Sequence, residues 1–362
     1  MEKYVLDTAI KFGAGRYRQD WGLLDECGGE VARFGRHVFV LTSPRAWAAV
    51  EERLVPSLEA AGVAFERHEH QGWCTYEAAR ELADLALARG CDEIVGVGGG
   101  VIMDLAKAVG EYAGLGVVNI ATSIATCAPF TTMSVMYTPE GGKKDCWRYE
   151  HEIDACLIDL DVIMRCPTRY TAAGILDAMA KKIEIQNGKP VMRIQDNKID
   201  LFTAYNFSVF TYEVLEQEGP QAIEDCRAGR RSKAIEDVTF VAVAATGVIA
   251  NITKSFSQSA LAHLVYDCTR THFTREGAKA LHGELVAVGL FAQLYYNQLP
   301  QDTERLRAFM DGLGMPLTLD ACGVPSTDEN LNVYEAYLID SPYVEPGEES
   351  VARLHEALRQ MR

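Results

Sequence analysis

The sequence predicts an α/β fold in its first half and an all-α fold in its second half. Residues 37–120 alternate short β-branched runs with helical stretches, which is typical of a parallel sheet covered by helices. A glycine-rich turn joins one of these strands to the next helix. From Pro167 onward the chain carries helical patterns and few convincing strands. We therefore expect an α/β Rossmann-like nucleotide-binding domain over residues 1–166 and an all-α domain over residues 167–362.

The spacing of apolar residues and the positions of proline and glycine predict the strands and helices of the first half. Strands are predicted at residues 37–42, 93–97 and 117–120. Helices are predicted at residues 46–61, 76–89 and 102–112. Pro56 is expected to kink or break the first helix, and Gly90 to end the second.

The second half is predicted as a series of helices separated by prolines. They are expected at residues 170–186, 200–216, 231–251, 257–266, 277–297 and 303–313. Pro190, Pro220 and Pro300 are among the residues expected to separate them. A turn-rich segment at 340–347 precedes a final helix.

Charge and composition exclude several kinds of partner. The formal net charge is −16, which argues against nucleic acid or an anionic membrane surface, because binding phosphate needs clustered Lys and Arg. The ten cysteines are scattered and form no CxxC pair, as expected in a reducing cytosol. No secretory signal core and no apolar run of about 18 residues stands out. We expect a cytoplasmic protein with a small-molecule substrate, no nucleic acid and no membrane.

The turn at Gly98-Gly99-Gly100 has the context of a phosphate site. It follows a strand and opens a helix, whose N-terminal amides point at an anion that glycine lets approach closely. The alternative is a purely structural turn. Asp104 and Lys107 lie one helical turn apart and are expected to pair, in the simplest case as a surface ion pair. The residues expected at the phosphates of a cofactor are Gly99, Gly100, Val101, Ile102 and Met103.

Three side chains in the helical half form a candidate metal site. Asp177, His263 and His282 each lie among small and apolar residues, where a carboxylate is costly to bury unless it is paired or bound to metal. Each histidine alone could be an ordinary core residue, and the aspartate alone could face water. Together they supply one carboxylate and two imidazoles and leave positions open for substrate, as a catalytic Zn²⁺ or Fe²⁺ site requires.

These motifs resemble, in order and spacing, those of the iron-containing alcohol dehydrogenases, and in particular their glycerol-dehydrogenase-like branch. The motifs are GGGxxxDxAK from Gly98, AGILDAMAK around Asp177, ALAHLVYD around His263 and LHGELVAVG around His282. The resemblance covers nearly the whole chain. It implies a dehydroquinate-synthase-like fold, NAD(P)(H), one divalent metal (Zn²⁺ or Fe²⁺) on Asp177, His263 and His282, hydride transfer and a homo-oligomer.

The segment 122–137 resembles the cofactor and substrate loop of that family, with one departure. Glycerol dehydrogenases carry an aspartate where this chain has Cys127, and the ATCA pattern here is similar to that of 2-hydroxycarboxylate dehydrogenases. A thiol removes both an acceptor for diols and a charge that repels anions. The expected substrate is therefore a 2-oxo acid or 2-hydroxycarboxylate, with glycerol as the alternative. Cys127 is expected to line the pocket, or alternatively to act as a nucleophile. By resemblance, the residues at the nucleotide are Thr122, Thr131, Met133 and Tyr137.

Two further departures concern the cofactor and the proton path. After the strand at 37–42, NAD-using relatives often place an aspartate for the ribose, whereas this chain has Ser43 and then Arg45. That change favours NADP(H), because an arginine accommodates a 2′-phosphate; an ordinary helix-start arginine is the alternative. Tyr266 replaces a histidine often found three residues after the first histidine ligand. Lys143, Lys144, Arg148 and Arg169 are candidates for gripping a substrate carboxylate, by proximity in sequence only.

Two rival functions remain. A dehydroquinate-synthase-like cyclase would share the glycine turn, but residues 125–134 lack that family's basic phosphate loop, and its carboxylate ligand is normally glutamate. A catalytically inactive binding protein would not need all three candidate ligands, which are present.

Overall fold

The computed structural model describes residues 9–254 and 256–362. Its strands are β1 (Arg16–Asp20), β2 (His37–Thr42), β3 (Ala64–Glu69), β4 (Glu93–Gly98), β5 (Val117–Ala121), β6 (Met133–Tyr137), β7 (Lys143–Arg148) and β8 (Ala155–Asp159). Its helices are α1 (Cys27–Val31), α2 (Pro44–Ala60), α3 (Tyr76–Ala88), α4 (Gly100–Ala113), α5 (Leu160–Arg165), α6 (Thr168–Gln186), α7 (Ile199–Ala228), α8 (Lys233–Phe240), α9 (Thr246–Ile252), α10 (Leu261–His272), α11 (His282–Tyr296), α12 (Thr303–Leu313), α13 (Asp328–Ile339) and α14 (Glu348–Leu358).

Six of the strands form a parallel sheet with the order β1-β8-β5-β4-β2-β3. From β2 the chain moves outward to β3 and then returns to the other side of β2 to form β4. Strand order therefore reverses between β2 and β4, and in open parallel sheets the crevice beyond the carboxyl ends at such a point is where ligands bind. Thr42 and Gly98 end these two strands, and the Thr42 hydroxyl donates to the Val97 carbonyl at 2.8 Å.

Helices cover both faces of the sheet because alternate residues of each strand point to opposite faces. Along β2, Val38 and Val40 join an apolar cluster with α2 on one face. Phe39 and Leu41 join a second cluster with α3 and α4 on the other face. β4, β5 and β8 are buried along their whole length, as expected for central strands of a parallel sheet.

The helical half is built around α11, which is apolar on every side and buried along nearly its whole length. It packs against α6, α10 and α14. The predicted fold class, an α/β Rossmann-like half followed by an all-α half, is confirmed, since the described chain beyond Asp159 contains no strand. The division into two domains at residues 166 and 167 stays a prediction.

Most predicted elements are confirmed, but several boundaries were wrong. α10 begins at Leu261 rather than at residue 257, and α11 begins at His282 rather than at residue 277. A separate 3-10 turn, Glu276–Lys279, precedes α11. α7 continues through Pro220, where we expected a break, and α2 continues through Pro56. The polar edge strands β1 and β3 and the β6–β7 hairpin were not predicted, because their sequences lack a clear apolar alternation. The central strand β8 was also missed, although its sequence is apolar and buried along its whole length.

One continuous helical run, Lys233–Ile252, is long and apolar enough by length and composition to cross a membrane. This differs from the expectation that no such run exists. Its most apolar window has a mean hydropathy of 1.6, but 78% of that window is buried inside the protein. A core helix with a π turn at Val241–Ala245 accounts for the pattern.

The stability of the sheet is expected to depend on pH through Glu93, at the start of β4. Glu93 is 3% exposed and shares a tight space above Gly116 with Asp154. Burial, and secondarily the Asp154 charge, raise the pKa of Glu93 to about 8. The folded chain holds this proton more tightly than the unfolded chain, so stability is lost as the pH rises from about 4.5 through 8.

Glu93→Gln should remove this loss. Above pH 8 we expect the variant to be more stable than the parent by on the order of 2–4 kcal/mol, measured by denaturant unfolding at pH 6 and pH 9. The exposed Glu329→Gln is the matched control and should leave the pH dependence unchanged. Parallel stability curves for Glu93→Gln and the parent would contradict this assignment.

Candidate metal and cofactor site

Asp177, His263 and His282 converge from three helices. Asp177 Oδ1 lies 3.3 Å from His263 Nε2 and 3.3 Å from His282 Nε2. One ligand atom from each residue lies within 4.8 Å of the other two. Asp177 is buried, whereas both imidazoles are partly exposed. One carboxylate oxygen and two imidazole nitrogens at this spacing fit a divalent cation with positions left for substrate.

Close contacts at two glycines bring these helices together. A Cβ atom on Gly283 would lie 2.1 Å from the Ala173 carbonyl oxygen, so α11 can meet α6 this closely only without a side chain there. A Cβ atom on Gly174 would lie 1.8 Å from the Ile124 carbonyl oxygen. These two glycines therefore set the distance of Asp177 from His282 and from the loop that carries Cys127.

The charge states of Asp177 and His282 suit metal ligands, whereas His263 is more basic than usual. Although burial opposes it, the Glu184 charge and the contact with Asp177 raise the pKa of His263. Although burial opposes it, the Lys181 charge and the two histidine contacts hold the pKa of Asp177 well below its usual range. Burial lowers the pKa of His282, so its imidazole stays neutral and can offer a lone pair. Lys181 is 2% exposed, and its Nζ lies 3.0 Å from His263 Nε2 and 3.5 Å from Asp177 Oδ1.

Glu184 contacts His263 at Nδ1, the ring nitrogen that does not face Asp177. One of its carboxylate oxygens contacts His263 Nδ1, and the other accepts the backbone N–H groups of Ala260 and His263 at 2.7 and 2.9 Å. Although burial opposes it, the His263 charge keeps the pKa of Glu184 below its ordinary value. A carboxylate on Nδ1 fixes which ring nitrogen faces the cluster, as is usual for metal-bound histidine.

The glycine turn lies at the point where the strand order reverses. Gly98 ends β4, Gly99 precedes α4, and Gly100 is its first residue. A Cβ atom on Gly99 would lie 3.3 Å from Ser123 Oγ, and one on Gly100 would lie 3.1 Å from Thr126 Oγ1. The Thr122 N–H donates to the Gly98 carbonyl at 2.9 Å, which joins this turn to the next loop. The helix start can therefore receive phosphates that a bulkier turn would block.

The other predicted cofactor residues lie around this turn in different settings. Val101 is partly exposed, whereas the side chains of Ile102 and Met103 are buried in the core. Ser43 precedes α2 at the carboxyl end of β2, next to the turn, and Arg45 is exposed on the first turn of that helix.

Asp104 and Lys107 form a buried pair, not a surface one. Lys107 is 2% exposed; its Nζ lies 3.0 Å from Asp104 Oδ1 and donates to the carbonyls of Ala128 and Thr131 at 2.9 and 3.2 Å. Asp104 Oδ2 accepts the Val135 N–H at 3.1 Å. The predicted pairing of Asp104 and Lys107 is therefore confirmed, whereas a surface location was wrong, because the buried pair ties the loop carrying Cys127 to α4.

Cys127 lies beside the cluster. The charges of Lys181 and Asp177 both act on its thiol, but burial dominates and raises its pKa to about 11. A thiol that stays protonated is a poor nucleophile, which favours the pocket-wall interpretation. Met133 is partly exposed, while Thr131 is buried with its hydroxyl facing Lys107.

Tyr137 bridges the two halves. Its ring lies 4.9 Å from that of Trp73, and its hydroxyl lies 2.7 Å from the hydroxyl of Tyr266. The Tyr266 ring stands edge-on to His282 with 4.3 Å between centroids. Tyr266, three residues after His263, therefore lies next to the cluster.

The four basic residues predicted as candidates for binding a substrate carboxylate all make other contacts. Lys143 contacts Asp267, and Arg169 makes a two-point contact with Glu284. Lys144 lies over the Tyr76 ring, and Arg148 donates to the carbonyls of Lys254 and Cys146. None of these contacts directs a cation toward the cluster.

Sequence reasoning missed Lys181 and Glu184. They follow Asp177 by four and seven residues, so helical spacing alone would have put both on the face of a candidate ligand. Their polarity within apolar helices was the available signal.

Comparison with known proteins shows which family this chain resembles. A model of the iron-containing alcohol dehydrogenase family matches residues 14–159. The glycerol dehydrogenase of Thermotoga maritima is 29% identical over 328 residues, covering 88% of this chain and 86% of that protein. Hydroxycarboxylate dehydrogenase A of Escherichia coli is 31% identical over 256 residues, covering 69% of this chain and 67% of that protein.

The crystal structure of a probable glycerol dehydrogenase from Sinorhizobium meliloti has the same fold, with a TM-score of 0.83 at 22% identity, covering 98% of this chain and 97% of that one. The match to the Thermotoga maritima enzyme covers 88% of this chain, so it is not confined to the residues that the family model matches. The chain therefore belongs to the iron-containing alcohol dehydrogenases, an oxidoreductase family, and to their glycerol-dehydrogenase-like branch.

Proposed function

We propose that the chain is a metal-dependent, NAD(P)-linked dehydrogenase of a small hydroxylated compound. The observation that supports this best is the convergence of Asp177, His263 and His282 from three helices. Beside them, the loop of Cys127 is tied by Lys107 to α4, the helix that opens at the glycine turn.

Each part of the chain has a role in this proposal. A divalent ion held by Asp177, His263 and His282 would supply Lewis acidity toward the substrate oxygen. Asp177 brings the negative charge, and neutral His282 offers its lone pair. Glu184 orients His263. The turn at Gly99 and Gly100 would hold the cofactor phosphates, and a nicotinamide bound there would supply or accept the hydride.

Two substrate classes fit this proposal. The glycerol dehydrogenases among the relatives support a small polyol, and glycerol is the first substrate to test. The second class is 2-hydroxycarboxylates and their 2-oxo acids, which the name of the Escherichia coli relative supports. A specific feature of this chain favours that second class, because the protonated thiol of Cys127 carries no charge to repel an anion.

We also propose which cofactor and metal the protein uses, and its assembly and location. Ser43 and the exposed Arg45 support use of NADP(H) as well as NAD(H). Zn²⁺ and Fe²⁺ both suit the donor set. We propose a cytoplasmic homo-oligomer with no nucleic-acid or membrane partner.

A panel of substrates tests the proposal. Glycerol, dihydroxyacetone, glycolaldehyde, pyruvate and glyoxylate would be assayed with NAD(P)⁺ or NAD(P)H at the nicotinamide absorbance, before and after exhaustive chelation. Turnover that is lost on chelation and restored by Zn²⁺ or Fe²⁺ is expected. Unchanged turnover in the metal-free protein, or no hydride transfer with any substrate, would reject the proposed function.

A further inference from the structure

Arg270 is a buried cation with unused hydrogen-bond donors. It is 4% exposed, and its Nη2 donates to the Ala280 carbonyl at 3.2 Å. Nε and Nη1 are buried and make no well-formed hydrogen bond among residues 9–254 and 256–362, although the Tyr266 hydroxyl lies beside the guanidinium and interacts with it. A guanidinium has five N–H donors, and burying several of them without an acceptor is costly.

Aromatic rings compensate for only part of this cost. The Arg270 guanidinium carbon lies 5.1 Å from the centroid of the Trp73 ring and 5.4 Å from that of Tyr266. Such cation–π contacts stabilise the charge, but they do not satisfy N–H groups. Nearby Asp267 contacts Lys143 and does not pair with Arg270 in the described part of the chain.

Arg270 lies on the face of α10 that carries the candidate metal ligand. His263, Tyr266 and Arg270 are spaced by three and four residues, which puts them along one side of the helix, about 10 Å from first to last. Tyr266 lies between them and contacts both the Arg270 guanidinium and the ring of His282. The open donors are therefore one side chain away from the cluster.

We propose that Arg270 is a specificity-determining residue that binds the anionic group of the substrate, which is a hydroxy- or oxo-carboxylate. The proposal rests on the proposed function and names its substrate class. A guanidinium offers a two-point contact that matches a carboxylate, and the other basic residues expected in this role are engaged elsewhere. Lys181 also lies at the cluster, but its ammonium is already in contact with Asp177 and His263.

Binding of an unreactive anion gives a test that does not need turnover. Oxamate would be titrated calorimetrically into the zinc-loaded protein with bound NADH, for the parent, Arg270→Met and Arg270→Lys. We expect the affinity for oxamate to fall about 10- to 100-fold in Arg270→Met. The loss should be smaller in Arg270→Lys, which keeps the positive charge but cannot make the two-point contact of a guanidinium. Arg307→Lys is the matched control, since Arg307 also lies over an aromatic ring, that of Phe291, and contacts backbone carbonyls.

Kinetics then separate substrate recognition from a general defect. Glyoxylate, pyruvate, oxaloacetate and 2-oxoglutarate would be compared with the neutral glycolaldehyde and dihydroxyacetone. For Arg270→Met we expect kcat/KM to fall about 10- to 100-fold for the best oxo acid, mainly through KM, and to change less than about threefold for the neutral compounds. Equal losses in both groups, or a parent enzyme without preference for anions, would overturn the proposal.

The two proposals fail separately. If no compound of either charge is reduced, the proposed function is wrong, and the oxamate titration still tests Arg270. If glycerol and dihydroxyacetone turn over well but oxamate binds the parent and Arg270→Met equally, only the role of Arg270 is wrong. Should both Arg270 variants fail to fold, judged by circular dichroism against Arg307→Lys, the preference of the parent for anionic substrates decides the matter.

Discussion

Replacing Asp177 with asparagine is expected to lower kcat/KM by about a thousandfold or more and to empty the protein of metal after dialysis. The amide keeps the shape of the side chain but removes the charge that a divalent ion needs, and it leaves the buried Lys181 without its anionic partner. Metal content by elemental analysis and turnover at the nicotinamide absorbance would be measured on the same preparation.

Asp225→Asn is a matched control for that change. Asp225 is also a buried helical aspartate, and it contacts Gln221 and Arg230 far from any candidate ligand in sequence. We expect this variant to keep both metal and activity. An Asp177→Asn protein that retained its metal and at least about a tenth of the parental rate would show that this carboxylate is not a ligand.

Replacing Glu184 with glutamine is expected to weaken metal binding about 10- to 100-fold while leaving kcat close to that of the parent once metal is saturating. The reason is that Glu184 positions His263 and does not itself face the cluster. Its carboxylate accepts from the ring and from two backbone N–H groups, and an amide would satisfy these donors less well. Cobalt titration followed by the d–d absorption bands would report both affinity and ligand geometry.

The partly buried pair of Glu335 and His355 supplies the control for Glu184. Glu335 Oε2 lies 2.6 Å from His355 Nδ1, so Glu335→Gln disturbs a similar carboxylate–imidazole contact with no candidate metal beside it. Cobalt affinity should be unchanged in that variant. A Glu184→Gln protein with parental cobalt affinity and an unaltered spectrum would remove the positioning role.

Local sequence patterns were enough to predict the fold class. Contacts between residues far apart in the sequence could not be predicted from such patterns. Apolar runs and punctuating glycines predicted β2, β4 and β5, because central strands of a parallel sheet are buried on both faces. The edge strand β3 has a polar sequence and, within the described part of the chain, pairs with β2 alone, so its sequence carries no burial signal. Pro220 lies within α7 where sequence punctuation predicted a break.

The candidate ligands could be named from sequence, but their surroundings could not. Motif order identified Asp177, His263 and His282, yet nothing in the sequence shows that Gly174 and Gly283 allow the close contacts that bring them together. Asp104 and Lys107 were expected to pair, but their burial and their hold on the loop of Cys127 depend on residues about 20 to 30 positions away. Arg270 became a candidate only once its burial and its N–H groups without a well-formed hydrogen bond were visible.

The central claim is that one carboxylate and two imidazoles share a single divalent cation next to the nicotinamide. Isothermal titration of Zn²⁺ into chelator-treated protein, with His282→Ala in parallel, tests it most directly. We expect one tight site per chain in the parent and a loss of at least about a hundredfold in affinity in the variant. Equal zinc affinity in the two proteins, or no tight site in the parent, would contradict it.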